Sequence, residues 1–248
     1  MKIYKNKLIK KLTKSYKKIT GKNNTGKITI FHRGGGVKKK YKIIDFKKKF
    51  INVLGIVKRI EYNPLKKGKL SLICYYNGIL VYNLLMKIMK VGSYILDYTV
   101  DLNYGSTYFV EQIPNGCFIS SLEFFFNKKL QIIRAPGTKG VLLGKDNNVA
   151  NIKLPSGKTR LFPTNCRAIL GSLALTLKKL YPLKAGTNRN NNLRPVVRGV
   201  AMNPIDHPHG GGQGKTSGGR KMSTSPWSKY CKGLKPKKKK TQLNYFKK

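Results

Sequence analysis

Residues 69–85 read KLSLICYYNGILVYNLL, two apolar runs rich in β-branched and aromatic residues with Asn77-Gly78 between them. Asn-Gly tolerates the left-handed backbone a tight reversal needs, so the stretch predicts a β-hairpin of strands near 69–76 and 79–85. Upstream, YKIIDF (41–46) and INVLGIVKRIEY (51–62) are further strand-like runs. Downstream come GCFISSLEFFF (116–126), KLQIIRA (129–135), GVLLG (140–144), NVANIKL (148–154), KTRLF (158–162) and CRAILG (166–171), punctuated by DNN and PSG turns. Short strands at this spacing predict an all-β chain of two small barrels or sandwiches, with their junction near residues 103–115. A helix is expected only at SLALTLKKL (172–180), which Pro182 ends.

The 248 residues hold 52 Lys and Arg against 8 Asp and Glu, a net charge of +44. That excess exceeds what solubility requires and opposes compaction, so it calls for a polyanionic partner whose counterions are released on binding. Membrane is the weaker polyanion: the apolar stretch ILVYNLLMKIM (79–89) is broken by Asn83 and Lys87 and falls short of a span of about 20 residues. The charge is concentrated at the ends. Residues 1–49 carry 18 cations and one acid, and residues 185–248 carry 15 and one, whereas the 135 residues between carry 19 and six. Two basic, apolar-poor arms thus flank the β region, and each is expected to order only on its partner.

Residues 206–221, DHPHGGGQGKTSGGRK, imitate a phosphate-binding loop. Gly214, Lys215 and Thr216 fit the end of that motif, but its first glycine position holds His209, and SGGRK cannot open the required helix. Pro204 and Pro208 also interrupt any feeding strand. A nucleotide site is therefore rejected. Catalysis finds no constellation either: His207 adjoins Asp206, but sequence neighbours do not make a triad, and the remaining acids are scattered. Cys74, Cys117, Cys166 and Cys231 lack zinc-ligand spacing and read as buried thiols of a reducing compartment.

Glycine-rich basic loops have another use: glycine lets backbone amides approach phosphate and ribose oxygens while Arg and Lys supply charge-assisted hydrogen bonds. One such loop is FHRGGGVKKKY (31–41), offering Arg33, Gly34, Gly35, Gly36, Lys38, Lys39 and Lys40. The other runs from RPVVRG at 194 through residue 221, with Arg194, Arg198, His207, His209, Gly210, Gly211, Gly212, Lys215 and Arg220 as candidate RNA contacts. No cofactor is expected beyond structural Mg or K ions at RNA contacts. A free-standing RNA-binding regulator or chaperone is the alternative reading, with Tyr75, Tyr76 and Tyr82 as candidate stacking residues.

The string RPVVRGVAMNPIDHPHGGGQGKTSGGR (194–220), with SPW at 225–227, resembles the C-terminal signature of the universal ribosomal protein L-two family. GKNNTGKITIFHRGGGVKKKYKIIDFKK (21–48) resembles its N-terminal signature, and CRAILGSL (166–173) its mid-chain motif. The resemblance implies an OB-fold barrel followed by an SH3-like barrel, with basic extended N- and C-terminal arms: arm 1–40, OB-fold RNA-binding domain 41–107, SH3-like domain 108–184 and glycine-rich extension 185–248. It implies a structural constituent of the large ribosomal subunit and no enzyme. Large-subunit ribosomal RNA and neighbouring ribosomal proteins would be its partners, with small-subunit RNA at the subunit interface and tRNA nearby. Support of subunit association, tRNA binding and assembly of the peptidyl-transferase centre is implied too. By the same resemblance Arg167 and Trp227 join the RNA-contact set, and His207, with Asp206 beside it, becomes the functionally sensitive histidine, in a positioning role rather than as a general base.

Two departures stand out: NRNNNLRP (188–195) lacks the Arg-Trp-Arg segment that relatives carry before this signature, and the N-terminal arm is short. Lysine outnumbers arginine 43 to 9. That bias suggests drift toward A and T codons, and with the motif variants it points to a mitochondrial-matrix ribosome, with plastid or bacterial cytoplasm as alternatives.

Overall fold

The computed structural model describes residues 8–16, 18, 20–65, 68–98, 102–175, 184, 186–214, 216 and 218–232. They fall into two compact units, one drawn from residues 1–18 and 37–185, the other from 19–36 and 186–248.

The first unit is all-β. Strands β1 (Thr13–Ser15) and β2 (Lys40–Lys42) form a short antiparallel ribbon. Then β3 (Gly55–Tyr62), β4 (Lys69–Tyr75), β5 (Leu80–Leu84) and β6 (Tyr94–Ile95) make a four-stranded sheet in the order β5-β4-β3-β6. The hairpin expected around Asn77-Gly78 joins β4 to β5, and its loop is Tyr76–Gly78: the Tyr75 N–H donates to the Ile79 carbonyl (3.0 Å), with Gly78 at φ +77° closing the reversal. A parallel bridge from Ile44 to Tyr82 curls the chain back onto the sheet, and Ile44, Leu70, Leu72 and Tyr82 pack together with Ile9 and Leu12 against them. This is the OB-fold barrel.

The second sheet uses β7 (Thr107–Phe109), β8 (Phe118–Ser120), β11 (Gly140–Asp146), β12 (Val149–Lys153), β13 (Thr159–Pro163) and β14 (Arg167–Leu170), ordered β13-β12-β11-β8-β14-β7. A separate pair is formed by β9 (Leu122–Glu123) and β10 (Leu130–Ile132). Tyr108, Ile113, Ile119, Leu142, Ile152 and Phe162 fill this SH3-like barrel. The two barrels share a core: Leu130, Ile169 and Leu173 pack with Val57, Ile73, Met86 and Ile95. Backbone bonds cross the same seam, from Lys87 N–H to Ser172 O (2.9 Å), Ala174 N–H to Leu85 O (2.9 Å) and Leu130 N–H to Phe46 O (2.9 Å).

Several elements differ from the sequence expectation. The run 116–126 is broken into β8 and β9 because Ser121 takes φ +48°, a conformation no continuous strand holds. The run 41–46 contributes only its start to β2, then pairs singly at Ile44. Of the helix expected at 172–180, Leu173 bridges Met86 instead and residues 176–180 lie outside the described residues.

Among its described residues the second unit has almost no regular structure: one helical turn, α1 (Thr187–Asn190), and a 3-10 turn at Gly199–Ala201. Among the described residues, every buried hydrophobic side chain lies between Ile44 and Leu173, all in the first unit. The second unit is held by other means.

Candidate RNA interface

The two glycine-rich signatures, more than 150 residues apart in sequence, meet in the second unit. Arg33 bridges Leu193, the Arg194 N–H donates to the His32 carbonyl (3.0 Å), and the Gly34 N–H donates to the Asn192 carbonyl (3.1 Å). Glycine is required at this crossing: a Cβ on Gly36, whose φ is +80°, would lie 1.7 Å from Asn192 Oδ1. Arg33, Arg194 and Gly35 remain exposed beside it. Upstream, the Asn23 side chain accepts from the N–H groups of Thr25 (3.0 Å) and Lys27 (2.9 Å), an Asx turn that folds the start of the signature.

The second signature folds around its histidines. His207 is only 8% exposed. The His209 backbone N–H donates to His207 Nδ1 (3.0 Å), which makes that nitrogen an acceptor. The Thr224 N–H donates to His209 Nε2 (3.0 Å), so the His209 proton sits on Nδ1 and donates to the Gly218 carbonyl (2.7 Å). The two rings stack with centroids 5.1 Å apart. Gly199 lies flat on the His207 ring, where a Cβ would fall 2.5 Å from its atoms, and Gly210 crosses the Asn203 carbonyl, where one would fall 2.2 Å away. His209 is thus the knot of the loop, with both ring nitrogens committed. His207 has Nδ1 committed and Nε2 left to donate elsewhere.

Among the other residues singled out from sequence, Asp206, Arg198 and Arg220 are exposed in this unit, and Gly211 and Gly212 take φ +85° and +95°. Lys215 lies outside the described residues. Trp227 is 63% exposed at the tip of a turn whose Ser225 N–H donates to the Lys229 carbonyl (2.7 Å). Lys38, Lys39 and Lys40 belong to the first unit, where Lys38 and Lys40 are exposed.

Arg167 sits in the first unit and is committed to protein. Its guanidinium pairs with the fully buried Glu123 (Nε to Oε1, 2.7 Å) and bonds the Tyr98 hydroxyl (3.1 Å) and the carbonyls of Lys128 (3.2 Å) and Lys47 (3.3 Å). Although burial alone would depress it, these partners hold its pKa above the ordinary arginine value. Burial pushes the neighbouring Cys166 thiol up to about 11, so it is protonated and unreactive at neutral pH.

Sequence reasoning did not single out Phe31, Thr224, Asn192, Gly199 or Gly218. A phenylalanine directly before His-Arg-Gly-Gly-Gly was a signal available for Phe31; Thr224, Asn192 and the two glycines act through partners no local pattern reveals.

Residues 9–97 match the family of the ribosomal protein L2 RNA-binding N-terminal domain, and residues 103–228 match that of the ribosomal protein L2 C-terminal domain. The chain is similar to large ribosomal subunit protein uL2 of Rickettsia peacockii, 45% identical over 246 residues, covering 98% of this chain and 90% of that protein. It is 44% identical, with the same coverage, to the proteins of that name from Rickettsia typhi and Rickettsia prowazekii. With both family domains in order along an OB-fold barrel, an SH3-like barrel and a histidine-knotted basic unit, the chain belongs to the ribosomal protein L2 family.

Proposed function

We propose that the chain is a structural constituent of the large ribosomal subunit that binds large-subunit ribosomal RNA, with neighbouring ribosomal proteins as its other partners. The observation that carries this reading is the convergence of both glycine-rich signatures in one unit that buries no hydrophobic side chain among its described residues and holds, over residues 19–36 and 186–248, eighteen Lys and Arg and one acid, Asp206. Phosphate supplies the missing counter-charge. Arg33, Arg194, Arg198, Lys215 and Arg220 meet phosphates, Gly34–Gly36 and Gly210–Gly212 admit close backbone approach, and His207 offers Nε2–H to an RNA oxygen. Lys38, Lys39 and Lys40 add charge from the first unit. Arg167 contributes by bracing the barrels.

The same unit supports subunit association, contact with small-subunit RNA, tRNA binding and assembly of the peptidyl-transferase centre. His207 positions RNA there and is not a general base, since its Nδ1 accepts from the loop's own backbone. The lysine bias favours a ribosome of the mitochondrial matrix, while the Rickettsia relatives favour bacterial cytoplasm; co-sedimentation with matrix or cytoplasmic ribosomes of the source cell decides between them. The functional test is His207→Ala. The variant should enter large subunits that sediment normally in high salt yet form peptide bonds slowly, through misplaced RNA at about 1–3 kcal/mol for the lost partner. Fully active variant subunits would remove His207 from the mechanism.

A further inference from the structure

We propose that Trp227, Phe31 and His32 form a stacking platform for an unpaired nucleobase, so that this unit reads an unstacked RNA base in addition to holding phosphates. The inference rests on the reading of the unit as RNA-facing. The Trp227 and Phe31 rings lie 5.8 Å apart at 49°, and Phe31 lies 6.4 Å from His32. Trp227 and Phe31 are 63% and 48% exposed. A tryptophan and a phenylalanine that open to solvent, in a unit where no hydrophobic side chain among the described residues is buried, are not there to fill a core.

Both ends of the row are fixed in place. Trp227 rides on the turn closed by Ser225 and Lys229 and by the Thr224–Tyr230 bridge. His32 takes φ +57° and its Nδ1–H donates to the Pro195 carbonyl (2.8 Å). Such mounting lowers the ordering cost of binding. Arg33 and Arg194, exposed where the two signatures cross, follow immediately in the chain and in space, so a base on the rings would have its own phosphate within a cationic rim. Among ligands of compatible charge, a base-bearing polyphosphate chain satisfies both the π-faces and the cations. Polyphosphate alone uses only the latter.

Trp227 is the chain's single tryptophan, so its fluorescence reports on this site alone. The experiment titrates the full chain, at raised salt, with a single-stranded oligoriboadenylate and with an abasic oligomer of the same length, following tryptophan emission and, separately, the anisotropy of end-labelled oligomers. Emission should be strongly quenched by the oligoriboadenylate and nearly unchanged by the abasic chain. Trp227→Ala should weaken binding of the oligoriboadenylate roughly tenfold while Trp227→Phe restores most of it. Phe31→Ala should reduce quenching and Phe31→Tyr retain it. If the oligoriboadenylate binds by anisotropy with no more quenching than the abasic chain, the platform is wrong and the RNA reading stands. If neither oligomer binds, the RNA reading falls and the platform with it.

Discussion

The two units are built on opposite principles. The barrels bury aliphatic and aromatic side chains by the dozen, each contributing roughly 1.5–3 kcal/mol. In the second unit, among the described residues, the buried side chains are those of His207 and Thr224. What closes it is backbone hydrogen bonding at glycine-sized clearances and the stacked histidine pair. A unit made this way has its shape set by polar geometry and leaves its stability to be completed by a partner. That division suits the reading proposed above, in which the signature loops complete their shape on RNA.

The largest effects should come from breaking the charged braces inside the barrels. Arg167→Ala leaves the fully buried Glu123 carboxylate without its counter-charge, held by the residue-167 backbone N–H (3.0 Å), and releases contacts reaching Lys47, Tyr98 and Lys128. Denaturant unfolding of the barrel unit should show a loss of about 3–5 kcal/mol, the cost of an unpaired buried charge. A loss below 1 kcal/mol would instead leave Arg167 free to serve RNA.

Glu61 sharpens the same side of the comparison. Its carboxylate pairs with Lys42, lies 2.6 Å from Arg59 Nε and accepts from the Tyr82 hydroxyl (2.9 Å). Burial alone would raise its pKa, but Lys42, Tyr82 and Arg59 outweigh burial and hold it below the ordinary 4.5. Tyr82, buried against that carboxylate, is pushed up to about 12. A depressed folded-state pKa contributes stability above the unfolded value and loses it as pH falls through the folded value. Glu61→Gln should therefore destabilise the barrels at neutral pH and flatten their acid unfolding below pH 4.5, read by thermal melts across that range. An unchanged acid limb would show that the cluster does not couple to folding.

These braces also mark where the sequence stops being legible. The strands from β3 to β5 and from β11 to β14 were visible because burial writes apolar runs. The strands β1, β6 and β7 span two or three residues and left no periodic trace. Arg167 looked like an RNA contact because a cation in a signature motif is ambiguous until its partner is known, and Glu123 is 44 residues away. The second unit was legible as chemistry but not as structure. Glycine and charge announced RNA, yet with no apolar pattern nothing in the string foretold that Arg33 would pair with Leu193.

Within the second unit the effects should be smaller and local. His209→Ala removes acceptor and donor together, leaving the Thr224 N–H and the Gly218 carbonyl without partners. The loop should lose about 1–3 kcal/mol, seen as faster amide exchange and proteolysis between residues 202 and 224, while the melting of the barrels stays unchanged. His207→Ala removes a single internal bond, so its loop should exchange less than that of His209→Ala even though its effect on peptide-bond formation is the greater. If barrels and loop melt together in either variant, the separation of the two units is mistaken.

The smallest expected change sets net charge against the hydrogen-bonded unit. The lysines of KPKKKK (235–240) lie outside the described residues, whereas Arg194 and Arg220 belong to the hydrogen-bonded unit. Replacing three of those lysines by glutamine removes positive charge while leaving the described hydrogen bonds of the second unit untouched. The slope of log affinity for large-subunit RNA against log salt should become shallower by somewhat under one unit per lost contact, with assembly into subunits preserved. Arg194→Gln and Arg220→Gln together remove fewer charges but act where the backbone is closed around them. They should change the slope less and impair assembly more. The reverse result, an indispensable tail beside dispensable arginines, would mean that net charge, and not the architecture of the glycine and histidine unit, directs the protein onto RNA.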